Sequence, residues 1–212
     1  MGELKRHQPS MSIDEQVENL KTLGLVISDE DYARHILNDI SYFRLIKAYS
    51  LGFKAKNGDY DEGVTFEQIV ELYLFNANFR QITFAEIEKI EVNVRCRIAN
   101  YFAETYGVAK SFGIGYTYLE SWLESISYVR NICAHYGRLY NAKLSKTPIL
   151  YKEYSQQGIG NNRMFGVLLC MRHILLHDKH WNLYVDQIEA LIEKYEKVDV
   201  RTMGFTDNWK EL

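Results

Sequence analysis

The run Arg130-Asn131-Ile132-Cys133-Ala134-His135-Tyr136-Gly137-Arg138 places a permanent cation five residues before an imidazole that titrates near neutral pH. Such a pair suits metal-free cleavage of RNA. The imidazole moves a proton onto or off the 2′-hydroxyl or the leaving oxygen, while the guanidinium stabilises charge building on phosphorus. His135 takes the first role and Arg130 the second, and Asn131 is placed to orient the imidazole. The surrounding charge agrees with an anionic ligand. From Arg130 to Lys152 the chain carries Arg130, Arg138, Lys143, Lys146 and Lys152 and no Asp or Glu, interleaved with Tyr136, Tyr140 and Tyr151. Past Tyr184 the sign reverses, with Asp186, Glu189, Glu193, Glu196, Asp199, Asp207 and Glu211 outnumbering the cations. A basic, aromatic segment in a chain of net charge −3 points to a specific anionic ligand and away from a general nucleic-acid coat.

A helix over about 118–142 is expected to position these groups. On its wheel Val129, Ile132, Cys133, Tyr136, Leu139 and Tyr140 form an apolar arc, and Asn131, His135, Arg138 and Ala142 a polar stripe. Arg130 lies beside the stripe, about 140° from His135 around the axis. One helix therefore does not bring the pair together, whereas two copies facing across a two-fold axis would. Periodicity by itself leaves two readings, a solvated polar stripe and a site. The bare spacing does not choose between them, because it recurs at Arg172 and His177, where Arg172 sits in an apolar row with Phe165, Leu168 and Leu176 and reads as structural.

The rest of the chain reads as all-α. Helices are expected at about 13–23, 29–38, 41–50, 66–78, 79–107, 118–142, 161–177 and 181–197. Ser12 with Glu15 and Thr65 with Gln68 fit the capping box, Ser28 with Asp31 nearly does, and Gly24 stands where a helix would close. Phe53–Gly63, with Asn57-Gly58 inside it, is a turn or small hairpin. With 212 residues and two prolines, the expectation is one domain over 1–212, a helical core at 61–200 with an N-terminal helical extension at 1–60. No apolar run reaches the roughly 18 residues of a membrane helix, the first residues form no apolar signal region, and Cys96, Cys133 and Cys170 are widely spaced. These features set the expectation of a cytoplasmic protein that meets no membrane.

Other chemistry-bearing groups have milder readings. Glu91 and Arg95 sit four apart on a long helix, an ion pair on a solvated face or a support for the catalytic helix. Tyr42-Phe43-Arg44-Leu45 reads as core with one exposed arginine. Cys170, His173, His177 and His180 share an expected helix face at metal-ligand spacing, but no second cluster completes a site, so a polar face is the default and no metal or other cofactor is expected. Neither GxxxxGK[ST], GxGxxG nor GxSxG occurs.

The run RNICAHYGRLYN resembles the Arg, polar, three variable residues, His signature of HEPN-domain ribonucleases. Together with Ser12–Gly24, Ile40–Ser50, Ile87–Ala99 and Met203–Leu212, it is similar to the Abi family of bacterial abortive-infection proteins, the AbiD/AbiF-like group. That resemblance implies a HEPN-like four-helix core, a homodimer pairing the two motif helices, and RNA cleavage in antiviral defence. Arg130, Asn131 and His135 match the motif positions. Arg138, Tyr140, Lys143 and Arg95 are then the expected RNA contacts, Tyr140 by stacking. A ribonuclease toxic to its own cell implies a neutralising RNA or protein, as in toxin-antitoxin systems. The rival expectation is a non-catalytic RNA-binding module using the same basic face.

Overall fold

The computed structural model describes residues 11–101, 107–175 and 178–212. It is all-α: α1 (Ile13–Thr22), α2 (Glu30–Asp39), α3 (Phe66–Tyr101), α4 (Gly107–Phe112), α5 (Tyr116–Ala134), α6 (Lys152–Gln156), α7 (Met164–Ile174) and α8 (Asp178–Lys194), with short 3-10 turns. Among the described residues no helix is long and apolar enough to cross a membrane. Two compact units divide the chain, Met1–Tyr73 and Leu74–Leu212, with the boundary inside α3.

The first unit follows its local signals closely. Ser12 Oγ accepts from the Glu15 N–H and Glu15 returns the contact to the Ser12 N–H, the reciprocal pair that starts α1. Gly24, at φ +89°, closes the helix with Leu25 bonded back to Leu20. Asp29, rather than Ser28, caps α2, and Ser28 instead donates to Glu67 at 2.8 Å. The expected helix at 41–50 is present around a π-type turn, Phe43–Lys47, which leaves Phe43 exposed and buries Leu45 and Ile46. The expected hairpin is a single antiparallel bridge between Lys54 and Tyr60, with Asn57 bracing the Asp59 N–H. Thr65 and Gln68 make the second reciprocal cap and launch α3.

In the second unit α3, α5, α7 and α8 carry the core. Two helices were expected where α3 is continuous, because no proline or glycine breaks the chain between Phe66 and Tyr101. Thr83 and Tyr184 share a buried hydroxyl–hydroxyl bond of 2.8 Å, and Asn78 donates to Tyr195 at the same distance, tying α3 to α8. Along α7, Met164–Met171 and Ile174 are all buried. Trp122 of α5 stacks on His173 of α7, with ring centroids 5.4 Å apart. Tyr118, Tyr151 and Tyr154 complete that aromatic cluster, and the Trp122 indole donates to the Ile149 carbonyl at 2.7 Å. The basic segment thus returns along the start of α5 instead of extending its end.

Candidate active site

α5 stops at Ala134, well short of residue 142, and His135 is its C-cap. The Tyr136 N–H bonds the Cys133 carbonyl and the Gly137 N–H bonds the Ile132 carbonyl at 2.7 Å, with Tyr136 in the left-handed region at φ +56°. This is a Schellman closure. A side chain at residue 137 would place its Cβ 2.8 Å from Ile132 Cγ2 and 3.1 Å from the Ile132 carbonyl oxygen, so glycine alone fits. Just beyond, a continuing helix would bond the Leu139 and Tyr140 N–H groups to its own carbonyls. Both are taken instead by Asn76 Oδ1 of α3, at 2.8 and 2.9 Å. Asn76 is only 1 % exposed, so those bonds form away from competing water.

That early stop corrects the single polar stripe. Asn131 lies on the helix, His135 at its end, and Arg138 and Ala142 on the loop that follows. His135 is exposed. Arg130, with 43 % of its side chain exposed, pairs its Nε with Glu91 Oε1 of α3 at 3.4 Å. The other Glu91 oxygen accepts from Arg95 Nη2 at 3.0 Å, so one carboxylate joins two guanidinium groups. Glu91 of α3 therefore reaches α5 from the neighbouring helix. The Asn131 carboxamide oxygen accepts from Arg130 Nη1 at 3.4 Å and so faces the guanidinium, not the imidazole it was expected to orient.

The expected RNA contacts separate. Lys143 is exposed on the loop and Arg138 half-buried beside it. Arg163 steadies that loop through Asn141 Oδ1 and the Ala142 carbonyl. Arg95 is exposed on α3. Tyr140 overturns its expected role: it is 9 % exposed and its ring meets Phe75 edge-on at 6.0 Å, so it packs in the core and presents no face to a base. Burial also holds its hydroxyl above the usual tyrosine range. Within the basic run, Lys146 is countered by Glu124 at 2.6 Å.

Arg80 of α3 belongs to this end of α5 and escaped the sequence reading. Its guanidinium lies 5.3 Å from the Tyr136 ring centroid, and its Nη1 donates to the Gly137 carbonyl at 3.4 Å. The available signal was subtle: Arg80 is the single charged residue between Glu71 and Glu86. Beneath it, burial pushes the Cys133 thiol up to about 12, with Arg80 pulling weakly the other way, so this cysteine is no thiolate at neutral pH.

The Cys170 and His173 face, expected to be polar and partly exposed, is partly exposed at His173 and closed at Cys170. Cys170 is buried, His173 bonds Tyr154 at 2.8 Å inside the aromatic cluster, and His180 belongs to α8, a separate helix. His177 lies outside the described residues. Among the described residues no three His, Cys, Asp or Glu groups gather as metal ligands.

No curated protein and no solved structure matches this chain. A family model described as Abi-like protein matches residues 35–108 and 104–141, half of the chain. The matched spans take in Ile40–Ser50, Ile87–Ala99 and the whole Arg130–Asn141 run, but not Ser12–Gly24 or Met203–Leu212. Membership suggests a role in abortive-infection defence. The α3–α5 elements that present Arg130, Glu91 and His135 fall inside the matched residues, and the chain belongs to the Abi-like protein family.

Proposed function

We propose that this protein is a metal-independent endoribonuclease of abortive-infection defence, with a HEPN-type site built from Arg130 and His135. The observation that carries the reading is the end of α5: an exposed histidine caps the helix, and one turn back a half-exposed arginine is held by Glu91 within reach of solvent. In the proposed reaction the 2′-hydroxyl oxygen attacks the adjacent phosphorus as an imidazole takes its proton. The bond to the 5′ oxygen then breaks, and a protonated imidazole supplies that oxygen with its proton. The products are a 2′,3′-cyclic phosphate and a 5′-hydroxyl. Arg130 stabilises the extra negative charge on the phosphorane, and an incoming phosphate competes with Glu91 for its guanidinium.

Two copies arranged about a two-fold axis would set two such helix ends side by side, supplying both the proton acceptor and the proton donor. RNA is the substrate in this reading, and a neutralising RNA or protein restrains the enzyme at rest. The test is cleavage of total cellular RNA in EDTA by wild type, His135→Ala and Arg130→Ala. Cleavage by wild type with 2′,3′-cyclic phosphate ends, falling about 10²–10⁴-fold in His135→Ala, is the expected result. RNA held but uncut by all three proteins would replace the enzyme with a binding module.

A further inference from the structure

Among the described residues four helices close with the same pair of hydrogen bonds, and one of them breaks the pattern of residues. In α1, α4 and α6 the left-handed position is Gly24, Gly113 or Gly158, and the next residue is buried Leu25, Ile114 or Ile159. That is the common arrangement, a glycine free to turn left followed by an apolar residue that seals the end. In α5 the order is reversed. Tyr136 takes the left-handed position, where a side chain costs roughly 1–2 kcal/mol, and Gly137 follows it. Little burial offsets that cost, since Tyr136 is 67 % exposed.

What the arrangement achieves is presentation. Tyr136 stands directly after His135, its ring backed by the Arg80 guanidinium at 5.3 Å. Arg80, Gln81 and Phe84 of α3 and Cys133, Ala134 and Tyr136 line one open cavity of about 330 Å³, at the low end of small-ligand sites. An aromatic ring, a second aromatic wall, a carboxamide and a cation are the groups that bind a nucleobase and its phosphate. Resting on the ribonuclease reading above, we infer that Tyr136 and the Arg80 cavity form a base-stacking subsite that holds one nucleotide of single-stranded RNA beside His135 and sets which residue is cut. The strain at Tyr136 is tolerated because a glycine there would leave nothing to stack.

The test uses the full chain and a short, mixed-sequence, fluorescently labelled RNA strand with every 2′-hydroxyl methylated, which can bind but cannot be cut. Tyr136→Gly puts a glycine at the left-handed position and keeps both backbone hydrogen bonds of the closure, so its folded stability stays near wild type while the ring is lost. Its affinity for the strand is expected to fall about 5- to 150-fold, the range for one base stacked on one aromatic ring, while Tyr136→Phe stays near wild type. On unmodified RNA, Tyr136→Gly should also lose the wild-type preference among cleavage sites. Equal affinity in wild type, Tyr136→Gly and Tyr136→Phe would overturn the subsite, and so would a wild type that does not bind the strand. Ring-dependent binding without any cleavage of unmodified RNA would instead fell the ribonuclease reading and leave the subsite standing.

Discussion

The two ends of α5 are built on opposite plans. Near its start, Trp122 is fully buried, its indole N–H is bonded to Ile149, and Tyr118, Tyr151, Tyr154 and His173 surround it. A histidine there is a packing element, half-buried, stacked on Trp122 and bonded to Tyr154. Near its finish, His135, Asn131 and Tyr136 are exposed, Arg130 keeps much of its surface, and the backbone is strained. The same residue types are thus packed together at one end and exposed to solvent at the other. Exposure marks the difference: His135 is open to solvent, whereas His173 is half-buried among its partners.

The largest effect that separates the ends is Trp122→Ala. Removing this ring from the closed end should cost about 3–5 kcal/mol of stability by urea unfolding, whereas His135→Ala at the open end should leave the unfolding midpoint where it is. Comparable destabilisation by both would erase the distinction. Asn76→Ala comes next. It strands two buried N–H groups that shape the loop after His135, and should cost about 1–3 kcal/mol and lower cleavage in proportion to the loosened loop. Glu91→Gln should shift stability by less than about 1 kcal/mol, because its pairs with Arg130 and Arg95 are exposed to solvent. A kcat that falls in this variant with the midpoint unmoved would show that Glu91 positions Arg130.

The smallest effect is a pH dependence at the closed end. Burial, and then Arg172, hold His173 below the ordinary histidine range. The unfolded chain binds that proton at the ordinary value, so the contribution of His173 to stability is complete above it and declines as pH falls through it. Unfolding midpoints from pH 8 to pH 5 should therefore drop more steeply for wild type than for His173→Phe, which keeps a ring and has no proton to gain.

Much of the fold was legible because it is local. Ser12 with Glu15 and Thr65 with Gln68 cap their helices as their spacing demands, Gly24 closes α1, and Asn57-Gly58 turns the chain. The pair Arg130 and His135 was legible by type and spacing. The misplaced end of α5 has one cause, that an apolar period records burial and not the structure that achieves it. Leu139 and Tyr140 are buried as the periodicity implied, yet on a loop, and Tyr140 packs in the core instead of presenting its ring to solvent.

By itself the sequence determined an all-α chain, its helix starts, and a cationic–imidazole pair in a basic, aromatic segment. Those follow from side-chain chemistry acting over a few residues. Tertiary structure alone decided where α5 ends, that Glu91 and Arg80 come from α3 to meet it, and which tyrosine faces outward. Each of these rests on a partner some forty to sixty residues away in the chain: Glu91 to Arg130, Arg80 to Gly137, Asn76 to Tyr140. Local propensity cannot see such contacts, because hydrogen bonds and close packing across the bundle set a helix end more strongly than the preferences of the residues within it.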